Sequence, residues 1–344
     1  NMKEKILITG GAGFIGTNLA LRLSKKYHVF SLDNLYKKES NNNLSLLKQN
    51  KVDFINGDIR DKSFINNLIS ENKFNSIFHL AAQVAMSKSI EDPELDFDIN
   101  VNGTLNLLNS IVNKNSNPNL KFINVSTNKV YGDLTWDKLL ESNKRFQSEN
   151  FVDGYDENLQ LNFSSPYGCS KGSAEQYVLD YSETYGLNTM SIRLSSIFGI
   201  NQYFTYEQGW IGWFINEFLK FKNDKDHEIE ILGNGKQVRD ILYIDDLLNL
   251  FEKIIDKDLN KLNNKVFNVG GGTTNSLSII ELLDFFHEYY DLNYEYKTIN
   301  KGWRLSDQRF YISNLNSVKS TFDWEPNSDL KTKLIEYLNW IEPN

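Results

Sequence analysis

Short apolar runs alternate with amphipathic stretches through the first half of the chain. Ile6-Leu7-Ile8, Val29-Phe30-Ser31-Leu32, Val52-Asp53-Phe54-Ile55, Ser76 to Ala82, Lys121 to Val125 and Thr189 to Arg193 each read as a buried strand. Between them apolar residues recur at helical spacing. Phe14-Ile15, Leu19-Ala20 and Leu23 form one such face, and a helix is expected from roughly Leu95 to Asn113 with Asn100 turned inward. A long helix follows Ser165, with Ala174, Tyr177-Val178 and Tyr181 in phase. Alternating strands and helices predict an α/β fold, a doubly wound parallel sheet with helices on both faces. Beyond Gly199 the alternation lapses. Asn201 to Trp213 reads as a glycine- and aromatic-containing loop, and the shorter elements after it predict a smaller C-terminal α/β lobe closing over the sheet edge. The expected division is 1–192 for the sheet domain and 193–344 for the lobe. Residues 133–165 form a polar excursion with Trp136, Phe146, Phe151 and Tyr155, and a connection of that length usually carries function.

Composition narrows the picture only at a few points. At 344 residues the chain can bury one large core, or one core with a lobe attached. Its net charge of −8 argues against nucleic-acid binding and requires an anionic substrate to find locally gathered arginines. The single cysteine, Cys169, excludes an intramolecular disulfide and fits a reducing cytoplasm; a small packing residue is expected there. No run of apolar residues is long enough for a membrane span, and no basic-then-apolar signal pattern opens the chain, where Asn1 ahead of Met2 looks like an expression scar. The four histidines are scattered without metal-ligand spacing, so no metal is expected, and His79 reads as a core residue.

The chemistry gathers where strands end. Gly10-Gly11-Ala12-Gly13-Phe14-Ile15-Gly16 follows the first strand and opens the first helix. Strand, glycine turn and helix N-terminus make an anion site, with backbone N–H groups and the helix dipole directed at a pyrophosphate. Asp33 closes the second strand about twenty residues on, where a carboxylate accepts both ribose hydroxyls and repels a 2′-phosphate. This combination predicts a Rossmann-type domain that binds NAD rather than NADP. Asp58 lies at the end of the third strand, near an expected adenine, and the small Ala81 and Ala82 let a ligand approach the fourth. The fifth strand delivers Ser126-Thr127 to the same edge. Tyr167 and Lys171 stand four apart at a helix start and share a face. A neighbouring ammonium and a cationic nicotinamide would both favour the phenolate of a tyrosine that ordinarily titrates near ~10. Thr127, Tyr167 and Lys171 are therefore the candidate catalytic set for oxidising an alcohol. Gln83, Gln202 and Gln208 are amides on expected cleft loops, suited to sugar hydroxyls or a base, or merely polar loop residues. Trp210 and Trp213 read as lid, interface or core aromatics.

With these residues in view the chain resembles the extended short-chain dehydrogenase/reductase superfamily, in its NAD-dependent nucleotide-sugar epimerase/dehydratase branch. The marks are Gly10-x-x-Gly13-x-x-Gly16, Asp33, Asp58-Ile59, His79-Leu80-Ala81-Ala82, Asn100, Val130-Tyr131-Gly132 and Tyr167-x-x-x-Lys171, spread over essentially the whole chain. The resemblance implies a cofactor site that also takes in Phe14, Ile15, Asn34, Ile59, Leu80, Asn100 and Leu194. It implies two diphosphate arginines, Arg239 in Gln237-Val238-Arg239-Asp240 and Arg304 in Trp303-Arg304-Leu305-Ser306-Asp307-Gln308. The 4,6-dehydratases of the family carry an Asp-Glu pair after the catalytic hydroxyl, where this chain has Asn128 and Lys129. The 4-epimerases carry an asparagine where it has Ser196. Blocks such as Ser126 to Asp133, Gly154 to Glu157 and Tyr206 to Phe214 resemble instead the members that invert C2 of a CDP-activated sugar through a transient 2-keto intermediate, with Asn128 and Ser196 on the substrate. A CDP-sugar substrate and a homodimer or homotetramer are implied. A nucleotide-sugar C4 epimerase or dehydrogenase, and an NAD-binding sensor without catalysis, are the alternatives.

Overall fold

A computed structural model describes residues 3–115 and 117–342; the reading of Asn1 and Met2 lies outside them. Seven parallel strands form the main sheet: β1 (Lys5–Thr9), β2 (His28–Asp33), β3 (Asp53–Asn56), β4 (Ser76–His79), β5 (Lys121–Thr127), β6 (Asn188–Leu194) and, from the second half, a strand at Val266–Val269. Their order is 3-2-1-4-5-6 followed by Val266–Val269, so the direction of winding reverses between β1 and β4. Ligands in such sheets lie at the carboxyl ends beside that reversal.

Period-two side chains decide which helix layer each strand residue meets. In β1, Ile6 and Ile8 enter one hydrophobic cluster and Leu7 the other, all three fully buried. One layer contains α1 (Phe14–Leu23) and a helix from the second half, Ile244–Asp256, whose Phe251 meets Phe78 of β4 edge-on at 5.1 Å. The other contains the helix Lys62–Glu71, the helix Gly103–Lys114 and the long helix Ser165–Tyr185. That long helix starts with Pro166 in its first turn, where a missing N–H costs nothing, and stops at Gly186 in the left-handed region. The helix expected over Leu95–Asn113 begins at Pro93, capped by Asp92, and passes through a widened turn at Asp98–Asn102 that carries Asn100 inward.

The lobe has a small sheet of its own. Ser196–Phe198 pairs in parallel with Val238–Tyr243, which also pairs with Ser276–Ser278 and Phe310–Tyr311. A cut at residue 192 does not separate the two parts: β6 continues to Leu194, and Val266–Val269 returns to pair with it. One hydrophobic cluster runs from the main sheet into the lobe. The loop expected to reach Trp213 ends at Gly209, and a helix spans Trp210–Asn223. The polar excursion forms a short hairpin, Leu139–Glu141 with Phe146–Ser148, and its Tyr155 is wholly buried beside Tyr311 and Phe310. The Tyr155 carbonyl also accepts from Asn268 Nδ2 of the seventh strand at 2.9 Å, which ties the lobe to the main sheet. No helix among the described residues is long and apolar enough to cross a membrane.

Candidate active site

The glycine turn is built by close approach. Gly10 has φ +67°, and a Cβ there would stand 2.7 Å from the Ala81 nitrogen; a Cβ on Gly16 would stand 2.2 Å from the Gly10 carbonyl oxygen. Either side chain would force the first helix off the strands. Gly13 differs, since its Cβ would meet only the Gly10 oxygen, at 3.2 Å, leaving the opposite side open. It begins α1 without a side-chain cap and with no acidic residue in the first turn. The free N–H groups of that turn, at Phe14, Ile15 and Gly16, fit a pyrophosphate.

Asp33 stands across this turn. Its carboxylate accepts from the Ala12 N–H (3.1 Å) and the Leu35 N–H (2.8 Å), and burial raises its pKa against both bonds. Asn34 donates to Asp58, which also takes Arg60 through two bonds of 3.0 and 2.8 Å; that grip holds the Asp58 carboxyl down at about 2. His79 is a core residue, bridging Thr9 (2.7 Å) and Thr104 (2.9 Å), with burial and the Lys171 charge pushing its pKa down to about 3. The Thr9 hydroxyl also accepts from the N–H groups of Leu80 and Ala81, fixing the loop that the small residues leave open.

Asn100 is buried and Gln83 half-buried, and each has partners within the protein. Asn100 donates to Ser170 (2.9 Å) and to the Gln83 carbonyl (3.0 Å) and accepts from the Gln83 N–H (2.8 Å). Gln83 spends its amide on Asp96 and on both sides of Ala85. Together they lock the loop after β4 to the helix that carries Tyr167 and Lys171.

Thr127 is the last residue of β5, in register with Leu194 at the end of β6. Its hydroxyl accepts from the Lys129 N–H and starts a short turn over Asn128–Tyr131. Lys171 reaches β5 from the long helix, donating to the Val125 carbonyl at 2.7 Å, and burial lowers its pKa to about 8. Tyr167 lies between, half-buried, with Thr127 against its phenol. The phenolate is expected from the neighbouring ammonium together with a cationic nicotinamide, and the protein groups by themselves favour the phenol. Burial pushes Tyr167 up to about 12, the Thr127 hydroxyl works in the opposite direction, and the Lys171 ammonium is engaged on the strand. Cys169, on the same helix, is exposed rather than packed.

The amides and arginines assigned to substrate divide likewise. Asn128 is buried: its Nδ2 donates to Gln308 Oε1 (2.9 Å), while Gln308 Nε2 donates to the Asn128 and Gly132 carbonyls. Gln308 thus clamps the catalytic turn from 180 residues away, and only its place in the polar block after Arg304 hinted at a role. Gln202 turns its Nε2 back to the Ile197 carbonyl, and Gln208 accepts from Lys37 at 2.6 Å. Ser196 accepts from the Trp210 indole at 3.1 Å. Arg239 pairs with Asp307 at 2.7 Å, and Arg304 lies over the Tyr206 ring. Burial, with the charges of both guanidiniums adding to it, lowers the Lys129 pKa to about 8. Sequence reasoning missed a second arrangement, the buried pair Arg193–Glu175 (2.6 Å). Glu175 lies one turn beyond Lys171, and Arg193 also donates to the Tyr131 hydroxyl.

The profile of the GDP-mannose 4,6 dehydratase family matches residues 7–336. The chain belongs to this family. It is 43% identical over 338 residues to the CDP-paratose 2-epimerase of Salmonella typhi, covering 98% of each chain. Among solved structures it superposes on a UDP-glucose 4-epimerase of Thermotoga maritima, with UDP-glucose, at a TM-score of 0.80 and 28% identity, covering 98% of both chains. It also superposes on the Thermus thermophilus UDP-glucose 4-epimerase complex with NAD, at a TM-score of 0.77 and 25% identity, covering 98% of this chain and 99% of that one. The glycine cradle and Asp33 fit NAD, and the chain is a member of a group of NAD-using nucleotide-sugar enzymes with the Rossmann-type doubly wound fold.

Proposed function

We propose that this protein is an NAD-dependent isomerase of a CDP-activated sugar, inverting C2 through a 2-keto intermediate, with CDP-paratose or a close relative as substrate. The observation that carries the reading is the catalytic turn. Thr127 is present beside Tyr167 and Lys171, while the two following positions hold Asn128 and Lys129, in a chain 43% identical along its length to a CDP-paratose 2-epimerase. An acid pair suited to eliminating water is replaced by a buried amide clamp and a cation, which favours epimerisation over dehydration.

Bound NAD supplies hydride acceptance and return, so the cycle has no net redox change. Tyr167 takes the proton of the C2 hydroxyl and later returns one to the carbonyl oxygen, with Thr127 holding that oxygen in line. The phenol needs a further positive charge to ionise near neutral pH, because burial holds it at about 12. Lys171, fixed on the Val125 carbonyl, keeps the helix seated against β5 and would hold the cofactor ribose. Arg239 and Arg304 bind the diphosphate, on which the 2-keto sugar turns its other face. Cytoplasmic location and a homo-oligomer belong to the same proposal; exposed Phe97 and Tyr177 on the outer helices suit a subunit contact.

Thermal stabilisation of the NAD-loaded protein by CDP, UDP, GDP and dTDP tests the base. A nucleotide at a hundredfold over its dissociation constant adds about 2.7 kcal/mol. Stabilisation by CDP above the others is expected; preference for UDP or dTDP overturns the CDP reading and brings a C4 epimerase forward. Turnover of CDP-paratose without accumulation of NADH completes the test.

A further inference from the structure

Lys129 is a cation of the catalytic turn that the proposed mechanism leaves unused. It occupies the second position after Thr127, and its own N–H is bonded to the Thr127 hydroxyl at 3.2 Å. Its backbone is pressed against the catalytic helix: a Cβ on Gly168, next to Tyr167, would stand 3.2 Å from the Lys129 carbonyl oxygen. The Gln308 clamp fixes the same turn from the other side. The Lys129 backbone is therefore fixed beside Thr127 and the helix that carries Tyr167. Its side chain is half-buried, yet its ammonium has no hydrogen-bond or ion-pair partner among the described residues. Buried or half-buried ammonium groups are ordinarily paired.

The Gln308 bonds to the turn bring the adjoining Asp307, and Arg239 paired with it, towards Lys129, and the charges of Arg239, Asp307 and Arg304 all act on it. Asp307 is committed to Arg239 at 2.7 Å. Three cations and one carboxylate leave an excess of two positive charges, which matches the two negative charges of a nucleotide-sugar diphosphate. Without Lys129 the neutralised Arg239–Asp307 pair would leave Arg304 alone to balance the ligand, and Arg304 is partly spent on the Tyr206 ring and carbonyl. We infer that Lys129 is the third cation of the diphosphate seat and binds the phosphate that carries the sugar, making that phosphate the fixed pivot about which the oxidised sugar turns. The inference rests on the reading of the site as one for a nucleotide sugar, but it does not depend on which base the site selects.

Burial and the two guanidiniums hold the Lys129 pKa near 8, so the seat loses a charge at mildly alkaline pH. The test compares CDP and cytidine binding to the NAD-loaded wild type, Lys129→Met and Lys129→Arg by titration calorimetry. Lys129→Met is expected to bind CDP about 10- to 100-fold more weakly and cytidine within twofold of wild type. Lys129→Arg is expected to restore most of the CDP affinity. Wild-type CDP affinity falls as pH rises past about 8, while that of Lys129→Arg stays flat. Unaltered NAD content and cytidine affinity report that Lys129→Met is folded, so CDP affinity within twofold of wild type would overturn the assignment. Equal losses of CDP and cytidine affinity would overturn it too, since a collapsed turn rather than a lost phosphate contact would be the cause. If wild type prefers UDP, GDP or dTDP, the CDP reading fails, and the same comparison is made with that diphosphate and its nucleoside.

Discussion

Gln308 offers the sharpest test of how the catalytic turn is held. The side chain is wholly buried and makes three bonds to the turn after Thr127: from Asn128 Nδ2 at 2.9 Å, and to the Asn128 and Gly132 carbonyls at 3.3 and 2.7 Å. Gln308→Leu keeps the volume and removes every partner. One buried donor and two buried carbonyls are then left unsatisfied, at about 1–3 kcal/mol each. Carbonyls tolerate an unfilled lone pair better than amides tolerate an unpaired N–H, so the low end applies to two of the three. The expected loss is about 3–5 kcal/mol of unfolding free energy, measured by urea unfolding at fixed NAD. Activity should fall further than stability alone explains. Thr127 and Lys129 ride on this turn, and a displacement of about 1 Å at a reacting group can cost ~10²-fold. The expected signature is therefore a kcat loss larger than the KM change on a CDP-sugar, in protein still folded at the assay temperature. A Gln308→Leu protein within about 1 kcal/mol of wild type, with kcat intact, would refute the claim that this clamp positions the turn.

Other outcomes follow from the same geometry. Tyr167→Phe should lose about 10²–10⁴-fold in kcat while keeping its NAD content; undiminished turnover would remove Tyr167 from proton transfer. Lys171 sits protonated in the unfolded chain up to about 10.4 but only to about 8 in the folded one. The unfolded state thus binds more protons between those values, and wild-type stability relative to Lys171→Met should rise as pH rises through that window; parallel denaturation curves from pH 7 to 10 would contradict the buried-ammonium account. Glu175→Ala leaves the Arg193 guanidinium buried without its carboxylate, and removing one partner of such a pair costs about 3–5 kcal/mol. A urea midpoint unchanged from wild type would show that the pair is dispensable.

Much of the fold was legible because its determinants are local. A strand buried on both faces is a short apolar run, a helix against it shows its face every three to four residues, and the glycine turn lies where one passes into the other. The Tyr167–Lys171 pair is likewise a matter of spacing on one helix. The seventh strand was not legible, because nothing local in Val266–Val269 distinguishes a lobe strand from a strand of the main sheet; its partner, β6, lies more than seventy residues earlier.

What only the tertiary structure decided was how each polar group is used. Gln83, Asn100 and Asn128 look in sequence like ligand contacts, because an amide carries no mark of whether its partner will be substrate or backbone. In the folded chain each has a protein partner, Gln83 in Asp96, Asn100 in Ser170 and Asn128 in Gln308. The tyrosine's pKa was decided in the same way: one helical turn brings Tyr167 and Lys171 together, but burial and the reach to Val125 determine which charge each one feels. Spacing along a chain fixes which side chains share a face. Desolvation and hydrogen bonding across 180 residues fix what those side chains are free to do, and both depend on neighbours that meet only when the chain has folded.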